Sequence, residues 1–171
     1  MGKGYIQVYT GNGKGKTTSA LGLSLRAVCS GKKVFFGQFM KGQPYSELKA
    51  AELLEGLDME QFGGPCFVDG EPTEQDILDA HRGLSKMKDI LASGVYDVVV
   101  FDELNTAMFF KLVSVAEVMS VLDLKPDETE VIITGRYAPE DMISRADLVT
   151  EMREIKHYYN QGVQARKGIE N

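Results

Sequence analysis

The chain has 171 residues, 43% of them hydrophobic and 26% charged, with 18 glycines; that suffices for one core without disulfide or metal staples and excludes a large multidomain machine. Nineteen Lys plus Arg against 25 Asp plus Glu give a formal net charge of −6, which excludes coating of duplex DNA or of an anionic membrane by bulk attraction, so any anion is bound locally. Cys29 and Cys66 stand far apart with neither C-x-x-C spacing nor clustered histidines, so neither a disulfide framework nor a zinc site is expected. The start MGKGYIQVYT lacks a signal-peptide apolar run, and no stretch approaches the ~18 apolar residues of a membrane span. The expectation is a cytoplasmic protein forming one domain over residues 1–171.

Charge is uneven along the chain. Residues 1–46 hold Lys3, Lys14, Lys16, Arg26, Lys32, Lys33 and Lys41 but no acid, the first being Glu47. This suits either an anion held near the start or a solvated basic surface, and the glycines discriminate between them. Tyr5–Thr10 is β-rich, and the stretch Gly11–Gly15 separates it from Lys16–Cys29, where Ala20, Leu21, Leu25 and Val28 recur at helical spacing. Ser30-Gly31 closes that helix and Val34–Phe39 reads as the next strand, completing a βαβ unit and implying a parallel sheet. Ser46–Glu55 is expected to be a helix and Met59–Phe62 a short strand, with Gly63-Gly64-Pro65 irregular.

Thr73-Glu74-Gln75-Asp76 resembles a capping box, with Asp for the usual Glu or Gln, before a long helix ending at Ser93-Gly94. Val95–Phe101 then reads as a buried strand running into Asp102-Glu103. A full capping box, Ser114 to Glu117, opens a helix to Leu124 that Pro126 stops. Glu130–Thr134 is the next strand, Pro139 begins a short helix, and Leu148–Met152 is a final strand. The alternation predicts an α/β fold, an open, mostly parallel sheet with helices on both faces.

Thr10-Gly11-Asn12-Gly13-Lys14-Gly15-Lys16-Thr17-Thr18 matches the phosphate-loop pattern G-x-x-x-x-G-K-[ST] at Gly15, Lys16 and Thr17, with Thr10 in the first glycine's place. Such a loop wraps an oligophosphate in backbone N–H groups; Gly11, Gly13 and Gly15 supply positive φ and close approach, and the helix behind aims its positive end at the anion. Lys16 adds a mobile charge, and the Thr17 hydroxyl is placed for Mg²⁺. Val98–Phe101 delivering Asp102 and Glu103 to a strand end resembles the acidic half of a phosphate-loop site, where a carboxylate holds Mg²⁺ directly or through water; either acid could be the one. Arg136, after a third strand, could meet phosphates or pair with Glu140 or Asp141. His81 and His157 read as solvated, and Cys29 and Cys66 as small apolar side chains.

Together, TGNGKGKTTSALG, VVVFDELNTAM, VIITGRYAPEDMISRADLVTEM and EIKHYYNQGVQARKGIEN resemble the phosphate-loop type of ATP:corrinoid adenosyltransferase, also called cob(I)alamin adenosyltransferase, in family order from residue 9 onward. The resemblance implies a phosphate-loop NTPase (RecA-like) architecture and an enzyme that moves the 5′-deoxyadenosyl group of ATP to the cobalt of a Co(I) corrinoid, releasing triphosphate, in adenosylcobalamin synthesis or salvage. It implies ATP as co-substrate with Mg²⁺, a nucleotide reversed relative to ordinary phosphate-loop hydrolases, Asn12 through Thr18 on ATP, Asp102-Glu103 near Mg²⁺, a flavodoxin-like reductant and a homodimer. The chain departs from the family's pattern in beginning its first strand about four residues in, without the common amino-terminal extension, and in having no Trp for an aromatic pair that helps remove the lower axial cobalt ligand; Phe67, in Gly64-Pro65-Cys66-Phe67, is the corresponding aromatic or a core residue. Lys16 and Arg136 would neutralise the departing triphosphate. The loop alone would also suit an ATPase or phosphotransferase of the same fold, or a non-enzymatic ATP-sensing module.

Overall fold

The computed structural model describes residues 2–64 and 71–170. Six strands, β1 (Ile6–Thr10), β2 (Val34–Phe39), β3 (Leu57–Phe62), β4 (Val98–Asp102), β5 (Glu130–Thr134) and β6 (Leu148–Glu151), pair in the order β3-β2-β4-β5-β1-β6. Every pairing is parallel, as the short apolar runs and intervening helices predict. Side chains alternate between two cores on opposite faces of the sheet. Ile6, Val8, Phe35, Phe39, Val99, Phe101, Val131 and Ile133 point to one, while Val34, Phe36, Val98, Val100 and Ile132 point to the other. The first face is covered by α3 (Glu74–Ser93), α4 (Leu104–Phe109), α5 (Val115–Leu122) and α6 (Glu140–Arg145); the second by α1 (Lys16–Cys29) and the short α2 (Ala50–Leu53).

Local chemistry sets the element ends. The capping boxes at Thr73/Asp76 and Ser114/Glu117 are both formed, and α3 ends on Gly94 with φ 63°. Several expectations are corrected. Ser46–Glu55 is a 3₁₀ turn, Ser46–Lys49, running into only four α-helical residues, because Gly56 with φ 94° turns the chain into β3. The buried side of α1 is Lys16, Ala20, Ser24 and Ala27, and Leu25 is exposed: small side chains let the helix lie close on the sheet. Cys29 is exposed at the end of α1, not packed. The helix α4 has no sequence signal of its own, since its N-cap is Glu103 in a left-handed conformation with no side-chain cap. Among the described residues no helix is long and apolar enough to cross a membrane.

Candidate functional site

In a parallel sheet the loops after the strands gather at one rim. Here the loop after β1, the residues after β2, β4 and β5, and the carboxy-terminal segment enclose a cavity of about 690 Å³. It is lined by Asn12–Thr18, Lys41, Tyr45, Glu47, Glu103, Arg136, His157, Ile169 and Glu170, among others. The sequence-expected loop, Glu103 and Arg136 therefore meet in one place. Phe67 and Cys66 lie outside the described residues.

The loop's glycines serve the loop's own packing as well as any ligand. Gly11 and Gly15 have φ 95° and 121°, as expected, but Gly13 does not have positive φ. Its constraint is proximity: a Cβ there would sit 2.8 Å from the carbonyl oxygen of Met152, and its N–H donates to that oxygen at 2.7 Å. Asn12 Oδ1 accepts from the Glu154 N–H at 3.1 Å, so the chain just past β6 clamps the loop from outside. Thr10, in the first glycine's place, accepts the Ala138 N–H on its hydroxyl at 3.2 Å and ties the loop to the segment after β5. Behind the loop, α1 starts at Gly15 with no side-chain cap and no acid in its first turn. Its free amide ends and positive pole face the cavity, unlike the capped starts of α3 and α5.

Lys16 Nζ donates to the carbonyls of Gly11 and Gly13, both at 2.8 Å. Burial lowers its pKa, and Glu103 and Asp102 oppose that shift. Lys14 Nζ donates to the Ile169 carbonyl at 2.7 Å and stands 3.5 Å from Glu170. Glu170 also holds Arg166 and the Tyr158 hydroxyl, which keep its carboxyl down at about 2. The polar tail, which shows no periodicity in the sequence, thus forms a wall of the cavity. His157, expected to be solvated, lines that wall and caps the 3₁₀ turn Tyr158–Gln161 through Nδ1. His81 faces Glu117 on α5 at 3.6 Å, away from the cavity.

The two acids differ in placement. Asp102 is fully buried and does not line the cavity. Its Oδ1 accepts from Thr17 at 2.8 Å and Thr134 at 2.6 Å; its Oδ2 accepts from Lys41 at 3.0 Å and Gln38 at 3.2 Å. Because β5 lies between β1 and β4, Thr134 bridges the strand carrying the acid and the strand beside the loop. Glu103 has φ 60° and faces the cavity, its Oε2 accepting from Thr106 at 2.6 Å. Burial, then the charge of Asp102, pushes its pKa up. The Thr106 hydroxyl also accepts the Arg136 N–H at 3.1 Å, fixing the two cavity walls relative to each other. Among the described residues neither Glu140 nor Asp141 pairs with Arg136, so the surface ion-pair alternative is not formed. Lys41, read in the sequence only as one of seven bases, was missed as a cavity residue along with Tyr45, Glu47 and Glu170; its one signal was its place just beyond a buried strand.

Comparisons with known proteins fall in with this geometry. The family described as ATP:corrinoid adenosyltransferase BtuR/CobO/CobP matches residues 2–171. The corrinoid adenosyltransferase of Escherichia coli (strain K12) is 37% identical over 169 residues, covering 98% of this chain and 86% of the relative. The corrinoid adenosyltransferase CobA of Salmonella typhimurium has the same identity and coverage, and that of a Sinorhizobium species is 36% identical, covering 98% and 80%. Among solved structures, the flagellar accessory protein FlaH from Methanocaldococcus jannaschii superposes with a TM-score of 0.61 at 14% identity, covering 88% of this chain and 72% of that one; at that identity it speaks for the α/β fold alone. With the match running through both the glycine loop and the tail folded against it, the chain belongs to the ATP:corrinoid adenosyltransferase family.

Proposed function

We propose that the chain transfers the 5′-deoxyadenosyl group of ATP to the cobalt of a Co(I) corrinoid and releases triphosphate. The carrying observation is the family match over residues 2–171; the cavity over the uncapped start of α1 supports an oligophosphate at that position. In the transfer, Co(I) supplies an electron pair to C5′, the C5′–O bond breaks, and its pair leaves with the triphosphate as cobalt goes formally from +1 to +3. No protein group has to accept a proton. The protein's task is to hold C5′ before the cobalt and to stabilise the leaving charge. Asn12–Thr18 hold the nucleotide, and Lys16 and Arg136 neutralise the triphosphate.

Mg²⁺ favours hard oxygen donors, and the Thr17 hydroxyl and Glu103 carboxylate, both at the cavity wall, fit that preference. These two would hold the ion, with Asp102 behind them fixing the Thr17 hydroxyl. When bound, Mg²⁺ screens the charge of the triphosphate. A flavodoxin-like electron donor that keeps cobalt reduced, a homodimer, Phe67 beside the corrinoid, and one ATP-binding domain in the reducing cytosol complete the proposal. The test mixes protein, MgATP and chemically reduced cobalamin and follows the corrinoid spectrum and phosphate products. Adenosylcobalamin with triphosphate is expected; ADP or unchanged ATP would overturn the reading.

A further inference from the structure

Lys41 stands on the wall of the cavity that the glycine loop also lines, two residues beyond the end of β2. Met40 before it is held at φ 58°, a left-handed conformation that a non-glycine residue keeps only when its surroundings enforce it. The Lys41 Nζ meets Asp102 at 3.0 Å, lies 3.6 Å from Glu47 and sits 5.2 Å over the Tyr45 ring. Burial works against its charge, yet Asp102 and then Glu47 hold its pKa above the usual value. The cation is therefore kept charged inside the rim.

Neutralising Asp102 would by itself account for a lysine somewhere near the carboxylate. It does not account for one at the cavity wall. Asp102 already receives the Thr17, Thr134 and Gln38 donors, whereas the loop's own resources for an anion are partly committed. Lys16 is on the Gly11 and Gly13 carbonyls and the Gly13 N–H is on Met152. An ammonium has three N–H donors, so with one on Asp102 and Glu47 standing 3.6 Å away it keeps a donor for a further anion. We propose that Lys41 is a third phosphate-binding cation of this cavity beside Lys16 and Arg136, contacting the triphosphate of ATP from the β2 end of the rim while Asp102 anchors it. This rests on the adenosyl-transfer reading of the cavity and adds to it the residue that grips the leaving group from β2.

The probe is sodium triphosphate, titrated calorimetrically in magnesium buffer into the whole chain, into Lys41→Met, into Asp102→Asn, and into the double variant. The double variant carries neither the buried acid nor its partner, which separates phosphate contact from charge balance at Asp102. The expected result is a loss of affinity of about tenfold or more on removing Lys41, both from the parent and from the Asp102→Asn background. Equal affinity of Asp102→Asn and the double variant would overturn the proposal. If Asp102→Asn itself does not bind, the decision passes to a crystal structure of the parent with magnesium and triphosphate. There, Lys41 Nζ within about 3.2 Å of a phosphate oxygen supports the contact, and a lysine left only on Asp102 overturns it. A parent that binds no triphosphate at all removes the nucleotide reading together with this one, whereas binding indifferent to Lys41 removes only this one.

Discussion

Replacing Thr134 by Val keeps the shape of a fully buried side chain and deletes one hydroxyl. That hydroxyl donates to Asp102 Oδ1 at 2.6 Å and accepts the Glu103 N–H at 3.0 Å. A hydrogen bond to a charged group contributes about 1.5–3 kcal/mol and orphaning the partly buried Glu103 N–H costs up to about 1–3 kcal/mol, against about 0.8 kcal/mol recovered from the added methyl. The expected loss of stability is therefore about 2–5 kcal/mol. For a chain of this size a loss of about 3 kcal/mol lowers Tm by roughly 6–12 °C. Urea unfolding of the metal-free and nucleotide-free protein measures it, with Thr134→Ser, which keeps the hydroxyl, as the control. A loss under about 0.5 kcal/mol at unchanged m-value would refute the view that Thr134 ties the acid strand to the loop strand.

Lys16→Ala removes both the charge and the tie to the Gly11 and Gly13 carbonyls; adenosyl transfer is expected to fall by roughly 10²–10³-fold, and turnover equal to the parent would defeat the assignment. Gly11→Ala forces a side chain onto φ 95° with its Cβ 2.4 Å from the Met152 carbonyl oxygen, so stability should drop by at least about 2 kcal/mol, with amide exchange accelerating first in β6. Tyr96 donates to Asp58 at 2.7 Å, and burial together with that bond pushes its hydroxyl up to about 12. The folded value lies above the ordinary one of about 10, so its contribution to stability is full below that pH and declines as pH rises from there through about 12. Tyr96→Phe should lack this alkaline decline, which paired unfolding curves at neutral and high pH would reveal; identical pH dependence in both proteins would contradict it.

The parts of the fold carried by local chemistry were legible in the residues. The boundaries of α1, β2 and β5 follow from glycine punctuation and apolar runs, and both capping boxes form as written. The phosphate-loop spacing and the acidic strand end likewise pointed to Lys16, Thr17 and Glu103, which line one cavity, and to Asp102, which is buried behind it. What escaped depends on partners distant in sequence. α4 begins from a strained Glu103 stabilised by Thr106 and Thr134, and no cap residue announces it. The tail has no hydrophobic period, since its docking runs through Lys14 on Glu170 and on the Ile169 carbonyl, with Arg166 holding Glu170 from within the tail. Lys41 needs the β2–β4 pairing before its relation to Asp102 can be seen. The separate duties of Asp102, behind the wall, and Glu103, on it, are decided by a backbone turn that two adjacent acids do not reveal.

Since every strand points the same way, the far edge of the sheet is left to turns alone. Gly31 and Gly94 sit there in open space, with the Cys29 thiol exposed beside the first of them. α1 joins that edge to the glycine loop as a rod about 20 Å long. A dye or surface tether attached at Cys29 would ride on the same rigid body as the ligand pocket while staying clear of it, so the protein could be immobilised or read by energy transfer without obstructing entry.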